Sequence, residues 1–101
     1  MSEANPTQNQ IDELSRLLLN LHQTNNDFIS RIKIYNIKVY TNSTNDLYLS
    51  YFSEFPNDDH VGVELFLLKI NPLGKSSIMN ETMGQFDIQN FIGTLTETKL
   101  Q

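Results

Sequence analysis

The densest group of side chains that could do chemistry surrounds one histidine in the second half of the chain. His60 directly follows two aspartates, and two glutamates lie nearby, so the carboxylates are Glu54, Asp58, Asp59 and Glu64. Carboxylates and an imidazole can bind a divalent cation, but the alternating spacing and turn glycine of a calcium loop are absent from this stretch. We therefore interpret the cluster as a solvated turn with an anionic contact surface, and we expect no metal site.

Two further motifs are incomplete. Gly74-Lys75-Ser76 ends as a phosphate-binding loop ends, but the first glycine of such a loop would fall where this chain has Lys69. The two histidines, His22 and His60, are far apart in sequence and belong to no recognisable acid–base motif. We therefore expect a non-catalytic protein that uses no cofactor.

The composition is that of a small, acidic, folded domain. The 101 residues are 39% hydrophobic, and 12 acidic against 7 basic side chains give a net charge of -5. The absence of cysteine excludes disulfides, thiolate metal sites and cysteine nucleophiles. No export signal and no run of roughly 20 apolar residues is found, so a cytoplasmic protein without membrane contact is expected. Residues 1–6 are predicted to be a disordered lead-in to one domain over residues 7–101.

The clearest pattern is an apolar stripe at steps of three and four residues, which predicts a helix with one apolar face; its members are Ile11, Leu14, Leu18, Leu21, Phe28 and Ile32. Thr7 and Gln10 have the spacing of a capping box, which places the helix start just after Thr7. Either the helix continues to about Arg31, bent or frayed near Asn25, or residues 24–27 break it and recap a short turn. We favour the continuous helix. Its interface residues, on its own sheet or on a partner, are Leu14, Leu18, Leu21 and Asn25.

Strand patterns with a period of two follow the helix. They predict strands over residues 33–41, 47–53 and 60–70, and turn residues 42–46 predict that the first two form an antiparallel hairpin. The apolar pattern changes phase near Ile34 and Tyr35, which indicates a bulge. The middle of the third strand, Leu65-Phe66-Leu67-Leu68, is apolar on both faces, so we expect both faces to be covered, by this chain, a second copy or another protein.

A second helix is predicted over residues 85–98, after a loop at 75–84. Ile88, Phe91, Ile92 and Leu95 would line one face, although Gly93 and three threonines lower the helix propensity. The expected fold class is therefore α+β, with an N-terminal helix, a three-stranded antiparallel meander and a C-terminal helix, in the order αβββα.

A nucleic-acid-binding domain is the alternative. Its cations would be Arg31, Lys33 and Lys38, with Tyr35, Tyr40 and Tyr48 stacking on bases. The element order superficially resembles that of the double-stranded RNA-binding domain. That family, however, begins its second helix with a lysine-rich cluster, where this chain has Gly84-Gln85-Phe86-Asp87. The net negative charge also repels phosphates, so nucleic acid is a disfavoured partner.

The function expected from these observations is protein binding. Four tyrosines and six phenylalanines exceed what such a small fold is expected to bury. The predicted contact residues are Tyr35, Tyr40, Tyr48, Tyr51, Glu54, Asp58, Asp59 and Glu64. We expect an inhibitor, or a subunit of a homo- or hetero-oligomer, that binds a protein with a basic surface. Small acidic domains of this kind include phage-encoded inhibitors such as anti-CRISPR proteins, an analogy of size and charge alone.

Overall fold

The computed structural model describes residues 5–27, 31–56, 60 and 62–98. In chain order, these residues form helix α1 (Gln8–Asn26) and strands β1 (Lys33–Thr41), β2 (Leu47–Glu54), β3 (Glu64–Ile70) and β4 (Ser76–Ile78), followed by a 3₁₀ helix (Met79–Glu81), helix α2 (Gln85–Ile92) and strand β5 (Thr96–Thr98). The strands make one antiparallel sheet in the order β4-β3-β2-β1-β5. The α+β class is confirmed, and so is the hairpin of β1 and β2.

The predicted three-stranded αβββα meander is wrong, because a short strand extends each edge of the sheet. At one edge, β4 pairs with the end of β3 inside the segment that was expected to be a loop. At the other edge, β5 pairs with Val39, Tyr40 and Thr41 of β1. The predicted helix over residues 85–98 ends at Ile92, because Gly93 begins a turn and the β-branched threonines beyond it favour a strand.

Helix α1 begins as predicted and ends earlier than predicted. The Thr7 hydroxyl accepts from the Gln10 backbone N–H at 3.1 Å, and the Thr7 N–H donates to Gln10 Oε1 at 2.9 Å, so the capping box is confirmed. The helix ends at Asn26, so its predicted continuation to Arg31 is wrong. The physical reason lies in Asn25, whose side-chain amide forms two 2.7 Å hydrogen bonds with the backbone of Ile34 and so fixes the helix end against β1. Phe28, another residue of the predicted stripe, lies outside the described residues.

Both faces of the sheet are covered by helices of the same chain. On one face, Leu14 and Leu21 of α1 pack on side chains from β1, β2 and β3; these are Ile34, Val39, Leu47, Leu49, Leu68 and Ile70. On the other face, Ile88 of α2 packs on a second cluster formed by Tyr40, Tyr48, Leu65 and Leu67. The double cover explains why the middle of β3 is apolar on both faces. Neither described helix is long and apolar enough to cross a membrane.

A β-bulge interrupts β1, slightly later than the sequence pattern indicated. Asn36 and Ile37 together lie opposite Tyr51, because the pairing register with β2 shifts between Tyr35 and Lys38. Asn36 has φ 57°, in the left-handed region that asparagine tolerates better than most residues. The extra residue places Lys33 and Lys38 on the same face of the sheet, opposite Glu54 and Ser50 of β2.

Candidate functional site

Two stacked pairs of aromatic rings lie at one end of the sheet, where β1 begins, β2 ends and β3 begins. The Tyr35 and Phe52 ring centroids are 5.5 Å apart, with an interplanar angle of 23°. Those of Tyr51 and Phe66 are 5.3 Å apart, with an angle of 15°. Since neighbouring residues of a strand point to opposite faces, the two pairs lie on opposite sides of the sheet. We call this region, with Glu54 and Glu64 beside the rings, the aromatic end.

The course of α1 explains why the Tyr51 and Phe66 rings are only half-buried. The helix begins beside the last residue of β3, where Gln10 Nε2 donates to the Ile70 carbonyl at 3.0 Å. It ends beside the start of β1, where Asn25 pairs with Ile34. A helix that crosses the sheet on this diagonal leaves the corner at the start of β3 less well covered. All four rings of the aromatic end are half-buried.

The aromatic end carries charges of both signs. Arg31 and Lys33 lie around the start of β1, and Glu54 and Glu64 lie on β2 and β3. Glu54 lies opposite Lys33 in the strand pairing, and Lys33 Nζ is 5.6 Å from the centroid of the Tyr35 ring. Asn80 Nδ2 donates to Glu64 Oε2 at 3.3 Å. Among the described residues, neither Glu54 nor Glu64 forms an ion pair within 4.0 Å. Burial raises the pKa of the Tyr51 phenol, and the charge of Glu64 raises it further.

The structure brings together four of the predicted contact residues, namely Tyr35, Tyr51, Glu54 and Glu64. Tyr40 and Tyr48 lie elsewhere, with exposed fractions of 7% and 3% in the core beneath α2. Tyr48 contacts the Phe91 ring edge-to-face at 5.3 Å and accepts a hydrogen bond from Asn42 Nδ2 at 3.2 Å. Partner contact by Tyr40 and Tyr48 stays a prediction that their position does not support. Asp58 and Asp59 lie outside the described residues.

The predicted helix-interface residues contact the chain's own sheet. Leu14 and Leu21 are buried there, and Leu18 is partly buried against the same cluster. Asn25 contributes its side-chain hydrogen bonds to β1 rather than to a facing helix. Of the two interfaces considered from the sequence, the geometry therefore favours the one within this chain.

The sequence patterns did not indicate how the outer edge of β3 is protected. β4 pairs only with Leu68, Lys69 and Ile70, which leaves the first half of that edge without a strand neighbour in the described sheet. There, the Leu65 N–H donates to Gln85 Oε1 at 2.7 Å, and Gln85 Nε2 donates to the Leu65 carbonyl at 2.9 Å. Asn80 accepts from the Leu67 N–H and donates to the same Leu65 carbonyl, both at 2.9 Å. Two side-chain amides thus take the place of a neighbouring strand. The periodicity of hydrophobic residues in the sequence does not indicate this arrangement.

One depression of the described surface is small for a small-molecule site. This depression, of about 160 Å³, lies at the opposite end of the sheet, between Pro6, Gln10, Thr41 and Asn45. Its volume is well below the roughly 300 to 1,000 Å³ that is usual for small-molecule pockets. The described residues also contain no group of three or more His, Asp or Glu that could hold a metal ion.

The cations of the nucleic-acid alternative share their surface with carboxylates. The bulge places Lys33 and Lys38 on one face, as base and phosphate contacts would require. Lys38 Nζ, however, lies 3.9 Å from Glu97 Oε1, and Lys33 lies opposite Glu54. This arrangement offsets the positive potential that a phosphate backbone needs.

In comparisons with known proteins, no protein-family model, no curated protein and no solved structure matches this chain. The geometry of the aromatic end is therefore the basis on which a function is argued.

Proposed function

We propose that this chain is a non-catalytic protein-binding module, acting as an inhibitor or as a subunit of a larger complex, with the aromatic end as its contact surface. One observation carries the proposal. Two stacked, half-buried ring pairs lie on opposite faces of the same end of the sheet, beside carboxylates without an ion-pair partner among the described residues.

Half-buried rings suit binding for two physical reasons. They keep apolar area that a partner can remove from water, at about 25 cal/mol per Å². Stacking also restricts each ring before the partner arrives, so less conformational entropy is lost on association. Aromatic side chains held in this way are frequent hot spots of protein interfaces.

The carboxylates determine which surfaces approach the aromatic end most readily. Glu64 gives the β3 side of this end a negative potential, to which Glu54 adds less because it lies opposite Lys33. This potential attracts a basic partner surface and repels an acidic one. This effect acts mainly on the rate of association, and added salt screens it.

The first experiment is affinity capture from the source organism with three immobilised proteins, namely wild type, Tyr35→Ser and Leu73→Ser. Leu73 is the matched control, because it is 71% exposed and lies in the turn between β3 and β4, away from the aromatic end. We expect a discrete partner that wild type and Leu73→Ser retain and Tyr35→Ser loses. Retention by all three proteins would exclude Tyr35 as a contact, and with it the assigned surface.

The second experiment separates steering from contact. With the captured partner, Glu54→Gln and Glu64→Gln are each expected to lower the association rate by about two- to tenfold at low salt and to have little effect at high salt. The control is Glu97→Gln, which removes one carboxylate from the edge strand β5, outside the aromatic end. Glu97 already pairs with Lys38 there. If all three variants lowered the association rate equally, the change would reflect net charge alone, and Glu54 and Glu64 would have no specific role in steering.

A further inference from the structure

Beyond the aromatic end, we propose that the outer edge of β3 carries a second contact surface, anchored by Phe86, that binds a basic amphipathic segment of another protein. Phe86 is the second residue of α2, and 67% of it is exposed. The inward side of α2 carries Ile88, Phe91 and Ile92, all packed in the core beneath this helix. Phe86 therefore contributes little to that core and presents a large aromatic ring to solvent.

One other exposed apolar residue, Val63, lies near Phe86 along this edge. Ile78 of β4 is 43% exposed, but it pairs with Leu68 and therefore points to the α1 side of the sheet, away from α2. On the α2 side, the amides of Asn80 and Gln85 meet at the Leu65 carbonyl. Phe86 follows Gln85 directly, and Val63, 50% exposed, precedes Leu65 by two positions. We call this surface, defined by Val63 and Phe86, the outer edge.

Three exposed carboxylates lie near these apolar side chains. Glu64, Glu81 and Asp87 are exposed along the outer edge, and none of them forms an ion pair within 4.0 Å among the described residues. Residues 76–98 contain no lysine or arginine. An exposed aromatic ring within a negative potential is complementary to a segment that combines lysine or arginine with apolar side chains.

Other occupants of this surface are disfavoured by the same features. In a twofold contact with a second copy, the three carboxylates of one copy would face those of the other. An extended peptide cannot add to β3 as a strand, because the amides of Asn80 and Gln85 already bond the backbone groups of Leu65 and Leu67. Nucleic acids and anionic membranes would be repelled. The remaining mode is contact through side chains of a basic segment.

The test is selection of random short peptides from a phage-displayed library on the folded wild-type protein. We expect the enriched peptides to carry a net positive charge and at least one large apolar residue. Their dissociation constants are expected to rise about tenfold or more in Phe86→Gln, and to rise with ionic strength between about 0.05 and about 0.5 M. Leu73→Gln, which removes an equally exposed apolar side chain, should leave binding within about twofold of wild type.

Three results would overturn the outer-edge proposal: no enrichment on wild type, enriched peptides that are neutral or acidic, or peptides that bind Phe86→Gln as tightly as wild type. Tyr35→Ser keeps the outer edge separable from the aromatic end. Peptides that lose affinity in Tyr35→Ser and not in Phe86→Gln would contradict the second surface while supporting the first. The reverse pattern would support the second surface alone.

Discussion

The two ends of the sheet are held by different sets of contacts. At the end opposite the aromatic end, which we call the loop end, β1 ends, β2 begins and α1 begins. There the buried Gln10 donates through Nε2 to the carbonyls of Asn45 and Ile70, at 2.8 and 3.0 Å. The Thr7 hydroxyl donates to the Pro72 carbonyl at 2.7 Å. At the aromatic end, Asn25 joins the end of α1 to Ile34 by two hydrogen bonds, and stacked rings make the contacts between the strands' side chains.

The difference indicates a division of roles along one small sheet. Hydrogen bonds that join α1 to two separate loops have strict geometry, so they fix the position of the helix at the loop end. Stacked rings hold the aromatic end together and still keep part of their apolar area accessible. Substitutions at the loop end are therefore expected to lower the stability of the fold, and substitutions at the aromatic end are expected to weaken binding.

The largest expected effect comes from replacing Gln10, which is 1% exposed. Gln10→Leu keeps a side chain of comparable volume but leaves the Ile70 and Asn45 carbonyls without this donor and removes half of the capping box. We expect the free energy of unfolding to fall by about 3 kcal/mol. Chemical denaturation measures it, and a loss below about 1 kcal/mol would contradict the role given to the loop end.

A second prediction compares the same substitution at glycines near the two ends. Gly74, in the turn beside α1, has φ +85°, and an added Cβ would lie 2.7 Å from the Asn9 carbonyl oxygen. Gly62, which precedes β3 at the aromatic end, has no atom within 4 Å of such a Cβ. Gly74→Ala should destabilise the fold by about 2 kcal/mol, and Gly62→Ala should change it by about 0.5 kcal/mol or less. Equal melting temperatures for the two variants would remove the contrast between the ends.

A third prediction concerns the rings themselves. Tyr35→Leu removes the stacking on Phe52 and the contact with the Lys33 ammonium, and keeps an apolar side chain. We expect a loss of about 1 kcal/mol in the free energy of unfolding, smaller than for either substitution at the loop end. Denaturation curves recorded beside those of Gln10→Leu give the ranking. A loss above about 3 kcal/mol in the free energy of unfolding would show that Tyr35 contributes as much as a core residue, which contradicts its role at a contact surface.

The smallest expected effect depends on pH. Hydrogen bonds from Arg16 and Ser76 lower the pKa of Glu13 from 4.5 to about 2. A carboxyl whose pKa is lower in the folded state stabilises the fold fully above its unfolded pKa, and this stabilisation is lost as the pH falls towards about 2. Glu13→Gln should therefore cost about 1 kcal/mol or less at neutral pH, since Arg16 is well exposed.

The measurement for Glu13 is the difference in unfolding free energy between wild type and Glu13→Gln along a pH series. The difference should shrink between pH 4.5 and about 2. Ser76→Ala, which removes one donor and leaves the carboxylate, should give a smaller change with the same dependence. A difference that stays constant over this range would contradict the assigned ion pair.

Local signals predicted much of the fold. The capping box of Thr7 and Gln10 marked the start of α1, and alternation located β1 and β2. The strands β4 and β5 have three residues each, too few to show a period of two. Helical spacing of Phe91, Ile92 and Leu95 extended the predicted second helix, whereas Gly93 and the threonines beyond it decided the structure.

The candidate site was predictable by composition and not by position. The tyrosines share a residue type, but Tyr48 lies under α2 and Tyr51 lies where α1 leaves a corner open. That distinction depends on the diagonal course of α1, which is set by the tertiary contacts of Gln10 and Asn25. The exposure of Phe86 was likewise not predicted. The helical pattern shows which residues share a face of α2, but not which part of the sheet that helix packs beside.

The most direct test of the central claim is position-resolved photo-crosslinking in the source organism. A photoreactive benzoylphenylalanine replaces Tyr35 at the aromatic end in one variant, and Leu73 beside the loop end in another. We expect one discrete protein adduct from position 35 and none from position 73. Equal crosslinking from both positions, or adducts from position 73 alone, would contradict the assignment of the aromatic end as the contact surface.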